Sequence, residues 1–414
     1  MWGKKKLPEK LNICIVAKNF PMLGRATEYG FLWPIARNLA QKHDITVLAW
    51  SNPENKLEIV QDGVKAYFLF EKGKMKNFPQ MAYEKFLELN QVNEFHIVHS
   101  IDANGLVIGK NKKLHNAAIA FDVESTSMSQ VFSLIGLASD SARSIISISL
   151  AVAYTFITTF FTRDRKLLKS ANGVFVSSPV QKICLERYYL YPSRKTYTVP
   201  YGIEITDLSP REKSDELRQK LSLPKHSKIA VSLIDTNELS VIKNILKAFE
   251  KVAIKKPSAR LILIGQSEIT KEVESIIYSL ALGSKVIFVN SPTNLEFPDY
   301  IALADVFINL STKTSGFESS LLEAMAQKKL IIASEVSPIS TVVKNNVDGF
   351  LVRPADMNEI SRLILSIFKE EVDLEMIGQK AQENILNLFD MKKMVSQTVD
   401  AYRNILTSTG KYKI

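Results

Sequence analysis

The 414 residues suffice for two domains of about 200 residues each. Apolar residues make up 46% and charged residues 23%, a balance that excludes a disordered chain. Cys14 and Cys184 are the sole cysteines, which excludes a disulfide framework or a cysteine zinc site and fits a reducing compartment. The net charge is +10, and residues 1–200 hold 26 Lys and Arg against 16 Asp and Glu, so the whole excess lies in the first half. A basic first half predicts an anionic surface as partner. Its basic residues are not interleaved with aromatics as in nucleic-acid modules, so anionic lipid fits better than nucleic acid. The basic start Met1-Trp2-Gly3-Lys4-Lys5-Lys6 runs into Leu7-Pro8-Glu9-Lys10 with no apolar segment behind it, so a cytoplasmic N-terminus is expected.

The first half opens on an apolar strand, Asn12-Ile13-Cys14-Ile15-Val16, then a loop with Pro21 and Gly24, then a helical pattern over residues 26–43. Further strand-like runs are Ile45–Leu48, Val64–Phe70, His96–His99, Ala117–Phe121 and Gly173–Val176. Strands alternating with helices predict a parallel sheet covered on both faces. The second half repeats the rhythm. Strands are expected at 228–233, 260–265, 286–289, 306–310, 330–333 and 350–352, with helices near 241–256 and 270–282. The division falls in Val199-Pro200-Tyr201-Gly202-Ile203-Glu204, giving domains 1–204 and 205–388. A last helix within 389–414 carries Met394, Val395, Val399, Tyr402 and Leu406 at helical spacing. Two Rossmann-like domains facing a cleft are the expected architecture.

One junction carries most of the chemistry. The strand Asp305–Leu310 leads into Ser315-Gly316-Phe317-Glu318-Ser319-Ser320-Leu321-Leu322-Glu323-Ala324-Met325-Ala326, a glycine and hydroxyl loop opening a helix. Such a junction aims several backbone N–H groups and a positive helix end at one spot, where phosphate binds. Glu323 follows Ser315 by about two helical turns, within reach of a ribose diol.

At these residues the chain resembles the family 4 glycosyltransferases, retaining enzymes of the GT-B fold, whose donor motif reads E-G-F-G-x-x-x-L-E-A-M-A. Gly316, Phe317, Leu322, Glu323, Ala324, Met325 and Ala326 match; Ser315 stands for the first glutamate, and Glu318 for the second glycine. The resemblance extends to the Val199–Glu204 hinge, to Pro257-Ser258-Ala259-Arg260 and to Asp348-Gly349-Phe350-Leu351-Val352-Arg353-Pro354. It implies a GT-B fold, α/β with two Rossmann-like domains and a C-terminal helix crossing back onto the first. It further implies that Glu323 holds the donor ribose and that Ser315, Gly316, Phe317, Glu318, Ser320 and Leu321 surround phosphate and sugar.

Family members grip the diphosphate with an Arg and a Lys after the first strand of the second domain. Counting back from Ala248-Phe249 places Asp235 and Ser240 there, neither of them a cation. Lys243, about one turn further, is the remaining cationic candidate. In the first domain the family's D-x-H histidine position is Glu124, in Asp122-Val123-Glu124. A carboxylate there can act as base or stabilise an oxocarbenium-like transition state, so Glu124 and Asp122 are the catalytic candidates. The same triplet resembles a D-x-D metal motif, a reading rejected because GT-B enzymes generally need no metal; no cofactor is expected beside the nucleotide-sugar substrate. Gly24, in the Asn19–Arg25 loop, matches a family glycine that approaches the donor phosphates, and Phe20, His99 and Asp102 are placed on the acceptor side.

Residues 144–162 carry no charge and lie between Arg143 and Arg163. Their many Ser and Thr residues make a poor membrane span, and the following Arg165, Lys166 and Lys169 favour an in-plane membrane helix; a buried helix or a dimer contact are the alternatives. The combined expectation is a retaining hexosyltransferase at the inner face of the plasma membrane. It would move a sugar from a nucleotide donor to a lipid-linked or polysaccharide acceptor in cell-envelope or exopolysaccharide synthesis. Four departures from the family pattern, at Asp235, Ser240, Glu124 and Ser315, support the alternative of a catalytically degenerate GT-B protein acting as a binding or partner subunit, in a homo- or hetero-oligomer. An NAD-dependent enzyme is disfavoured because no Gly-x-Gly-x-x-Gly follows a first strand.

Overall fold

A computed structural model describes residues 5–22, 30–52, 54–70, 77–123, 126–128, 149–150, 152–154, 156–204, 210–235, 238–265, 270–290, 292, 296–312, 319–336, 339–371 and 373–413. The chain divides into two compact units, one formed by Met1–Gly202 with Met391–Ile414 and the other by Ile203–Asp390.

The first unit is built on eight strands: β2 (Asn12–Val16), β3 (Asp44–Ala49), β4 (Glu58–Gln61), β5 (Val64–Phe68), β6 (Ile97–Ile101), β7 (Ala118–Asp122), β8 (Gly173–Val176) and β9 (Thr196–Thr198). Their order is β4-β5-β3-β2-β6-β7-β8-β9, parallel throughout except β4 against β5. β2, β6, β7 and β8 are buried at every position, the mark of a parallel sheet covered on both faces. Helices start where caps permit: Asn77 accepts from Gln80 N before the helix Phe78–Val92, and Ser178 accepts from Gln181 N before Pro179–Tyr189, each with proline in the first turn. A short parallel pair joins the ends of the unit, β1 (Lys5–Lys6) with β16 (Tyr412–Lys413).

The last helix, Met391–Ser408, belongs to this first unit. Met394, Thr398, Ala401, Tyr402, Ile405 and Leu406 form its buried face, at the spacing one helical stripe requires. Tyr402 is wholly buried, and Met394 Sδ accepts a bond from Gly202 N at 3.1 Å. Gly173 is why β8 and this helix approach closely: a Cβ there would lie 2.6 Å from the Ile405 side chain.

The second unit holds six strands, β10 (Ile229–Ile234), β11 (Arg260–Gly265), β12 (Val286–Asn290), β13 (Val306–Asn309), β14 (Leu330–Ser334) and β15 (Phe350–Val352), all parallel. Their order is β12-β11-β10-β13-β14-β15. Numbered within the unit this is the doubly wound 3-2-1-4-5-6, the same sequence that β5-β3-β2-β6-β7-β8 follows in the first unit. The helix Leu239–Lys255 contributes Val241, Ile242, Ile245, Leu246, Phe249 and Val252 to the core beside the sheet. Fully burying a side chain such as Phe249 or Phe307 is worth about 1.5–3 kcal/mol.

This order has a functional consequence. In a doubly wound sheet the strand that starts the fold and its neighbour on the other side send their chains in opposite directions, which opens a crevice at their C-terminal ends. Those pairs are β2 with β6 in the first unit and β10 with β13 in the second.

Candidate functional site

In the second unit the crevice is flanked by the segments leaving Ile234 and Asn309. After β13 the chain places Leu310 in the core and Ser311 just beneath the surface. Ser315, Gly316, Phe317 and Glu318 lie outside the described residues. The helix Ser319–Ala326 follows, and its first turn is where unsatisfied N–H groups and the positive dipole end sit. Ser319 Oγ donates to Glu323 Oε1 at 3.1 Å, so the half-buried Glu323 carboxylate is drawn back towards the start of the helix. Ser320 is 1% exposed and its hydroxyl has no partner among the described residues. Leu321 and Leu322 are core residues. The structure thus brings Ser320 and Glu323 together at one helix end.

On the β10 side, Ser240 and Lys243 are both exposed, one at the second and one at the fifth position of the helix Leu239–Lys255. A residue not singled out by sequence lies between Asp235 and Ser240. Glu238 precedes the helix, yet its side chain does not cap it. Its carboxylate reaches instead to the segment after β13, where Oε2 accepts from Ser311 Oγ at 2.9 Å and Oε1 from Thr312 N at 3.0 Å and Thr312 Oγ1 at 2.9 Å. Ser232 Oγ donates to Ile308 O at 2.8 Å across the same two strands, and Ser334 Oγ to Ser311 O at 2.7 Å from β14. The seam below the crevice is therefore tied from both sides.

In the first unit Glu124 and Gly24 lie outside the described residues. Asp122, at the end of β7, is 5% exposed. Its Oδ2 is 3.7 Å from Nε2 of His99, a nitrogen without a hydrogen-bond partner among the described residues. His99 Nδ1 pairs at 2.6 Å with the hydroxyl of Tyr402 on the last helix. Burial, and then the charge of Asp122, push the Tyr402 phenol well above its usual range, so it stays protonated. The imidazole tautomer sets the direction of its bond with the phenol, and the other ring nitrogen, Nε2, faces Asp122. Beside these groups is a cavity lined by Ile15, Phe31, Phe175 and Met394, with space for about one water molecule. Phe20 is buried with its ring edge-on to Trp33 at 6.3 Å between centroids, so it offers the crevice no free face.

Asp102 follows β6 with φ of +44°, a left-handed conformation that aspartate tolerates better than most residues. Its carbonyl accepts from Ser100 Oγ at 3.0 Å, and that hydroxyl accepts from Gly105 N at 2.7 Å. Asp102 lines a second small cavity with Thr126, Arg163 and Asp164. Asp164, also missed by sequence reasoning, is 5% exposed and collects bonds on Oδ2 from Ser127 N at 2.8 Å, Ser127 Oγ at 2.7 Å and Tyr189 OH at 2.6 Å. Burial and this carboxylate push the Tyr189 phenol up. Asp164 thereby holds the segment Thr126–Met128, two to four residues beyond Glu124. The signal in sequence was only an isolated acid in a basic stretch.

The class these features define is the GT-B fold, two doubly wound units each with a switch-point crevice. Residues 213–384 match the family described as "Glycosyl transferases group 1". The chain is 24% identical over 199 residues to N-acetyl-alpha-D-glucosaminyl L-malate synthase of Bacillus anthracis, covering 48% of this chain and 51% of that protein. It is 22% identical over 233 residues to UDP-Gal:alpha-D-GlcNAc-diphosphoundecaprenol alpha-1,3-galactosyltransferase of Escherichia coli, covering 55% and 59%. The chain thus spans about half to three fifths of the length of these curated relatives. Sucrose-phosphate synthase from Thermosynechococcus elongatus superposes with a TM-score of 0.78 at 17% identity, over 96% of this chain and 100% of that one, which establishes the shared fold.

Proposed function

We propose that the protein is a retaining glycosyltransferase that moves a hexosyl group from a nucleotide sugar to a lipid-linked or polysaccharide acceptor. The observation that carries this reading is the pairing of Glu323 with Ser319 at the start of the helix after β13, inside the segment that matches the family. In this reading Glu323 takes the ribose hydroxyls, and the N–H groups at the start of the Ser319–Ala326 helix receive diphosphate. Asp122 and Glu124 serve the reacting centre of the first unit. The acceptor hydroxyl attacks the anomeric carbon, the bond to the diphosphate breaks, and the departing diphosphate carries the negative charge while the acceptor proton passes to it or to a carboxylate. No metal or other cofactor is assigned a role.

The acceptor class is supported by the E. coli relative, whose printed name specifies a diphosphoundecaprenol acceptor. Peripheral attachment at the inner membrane face, in cell-envelope or exopolysaccharide synthesis, completes the reading. Among the described residues no helix is long and apolar enough to cross a membrane.

The second reading is a degenerate homologue acting as a partner subunit. It is favoured by Asp235 and Ser240, which offer no cation where the family grips diphosphate. Calorimetric titration with UDP-, GDP- and ADP-sugars separates the two. Binding of one donor that weakens in Glu323→Ala supports the transferase; a folded protein that binds none of them is the partner.

A further inference from the structure

We propose that Glu238 is a positioning residue that spans the crevice of the second unit and sets the register of the donor-binding helix; this rests on the transferase reading above. Three observations converge. Glu238 leaves β10 and its bonds land on the chain leaving β13, the two strands whose divergence opens the crevice. All three bonds go to adjacent residues, Ser311 and Thr312, and one of them fixes a backbone N–H. Finally, the carboxylate makes no bond to its own helix, so these partners take both of its oxygens.

A carboxylate that accepts three donors within 2.9–3.0 Å is a stiff connection, because each bond is charge-assisted and each removes a rotational freedom of Ser311 or Thr312. Ser311 is held independently from β14 through Ser334 and from its own side of the turn through Asn309 Oδ1 at 3.3 Å. Thr312 has only Glu238 among the bonds described for it. The strut therefore acts on Thr312, the last residue described before the helix Ser319–Ala326. Six residues separate it from that helix, which carries Ser319, Ser320 and Glu323. A sub-ångström shift of Thr312 is passed along the chain to the helix start, where ribose and diphosphate contacts need fixed geometry.

The test uses the full chain with Glu238→Ala, Glu238→Gln, Thr312→Val and the Glu238→Ala/Thr312→Val pair. Hydrogen exchange without ligand is read over 305–326, and affinity is read with UDP-glucose, GDP-mannose and ADP-glucose. In Glu238→Ala, exchange rises in 311–326 while β11, β12 and the first unit keep their protection, and donor affinity falls about tenfold. Glu238→Gln, which retains an acceptor for Thr312 N, stays within about threefold of the native protein. Thr312→Val adds nothing further once Glu238 is gone, because the two act as one unit. Unchanged exchange in 311–326 overturns the strut, and so does a donor affinity in Glu238→Ala equal to the native one. If the native protein binds none of the three donors, the transferase reading falls with the donor-positioning role, while the exchange data still decide whether the strut exists.

Discussion

His99 Nδ1 and the hydroxyl of Tyr402 are 2.6 Å apart although 303 residues separate them in the chain. The bond fastens the last helix to the first unit's sheet at the middle of β6. The imidazole's other nitrogen points at Asp122, so a candidate catalytic carboxylate, a sheet histidine and the closing helix form one buried polar group.

Tyr402→Phe leaves His99 Nδ1 buried and unpaired, at a cost of about 1–3 kcal/mol in urea unfolding of the first unit. His99→Leu in that background costs less than the two single changes together, since the orphaned nitrogen is then removed. Additive losses would show that the two side chains are independent.

Asp164 gives a second prediction. Asp164→Ala releases Ser127 and Tyr189 together and is expected to destabilise by at least about 3 kcal/mol, because three bonds to a buried carboxylate are lost and each is worth about 1.5–3 kcal/mol. Asp164→Asn retains an acceptor and loses roughly half as much. Hydrogen exchange at 126–128 locates the effect; protection there that survives Asp164→Ala contradicts the assignment.

Acid sensitivity follows from two imidazoles at the foot of β2. His43 Nδ1 accepts from Leu11 N at 3.3 Å and His96 Nδ1 from Asn12 N at 2.8 Å, and burial is the leading cause holding both below the ordinary imidazole range. Each group is neutral when folded and more readily protonated when unfolded. Stability is therefore fully present above the unfolded imidazole value of about 6.5 and falls as pH drops below it towards the folded values. Thermal unfolding of the native chain between pH 7.5 and 5 reads this loss, and His96→Gln flattens it. An unfolding midpoint that is level over that interval is incompatible with the two bonds.

The fold was legible because strands buried on both faces read as uninterrupted apolar runs, as in Ile13-Cys14-Ile15-Val16 or Leu261-Ile262-Leu263-Ile264. β4 and β9 were not legible: Glu58–Gln61 is a four-residue edge strand with no buried position, and Thr196–Thr198 is three residues long. At the site, the place of Glu323 inside a helix could be read because it depends on a helix start four residues away. Glu238, Asp164 and His99 depend on hydrogen-bond partners 25 to 303 residues distant, and no local spacing encodes such pairs. The apolar stretch 144–162 showed its length but not its faces, because Phe160 is core and Phe161 is not.

Those faces decide how membrane attachment is tested. Leu150, Tyr154, Ile157 and Phe161 recur every three or four residues and are 68%, 72%, 65% and 54% exposed. Phe160 turns the other way, 5% exposed with its ring 4.8 Å from that of Tyr189, so charging it would damage the fold. Arg165 lies over Phe160 and Phe161 at 5.2 and 5.5 Å from their centroids, and Lys166 and Lys169 are exposed beyond it. An apolar row beside a basic cluster suits the boundary of an anionic bilayer, where buried apolar area and attraction to headgroups add. Ile157→Glu with Phe161→Glu should abolish sedimentation with phosphatidylglycerol vesicles and leave the unfolding midpoint nearly unchanged. Raised salt should weaken the native binding, since part of it is electrostatic. Undiminished vesicle binding by the double variant would move the membrane contact elsewhere on the basic first unit.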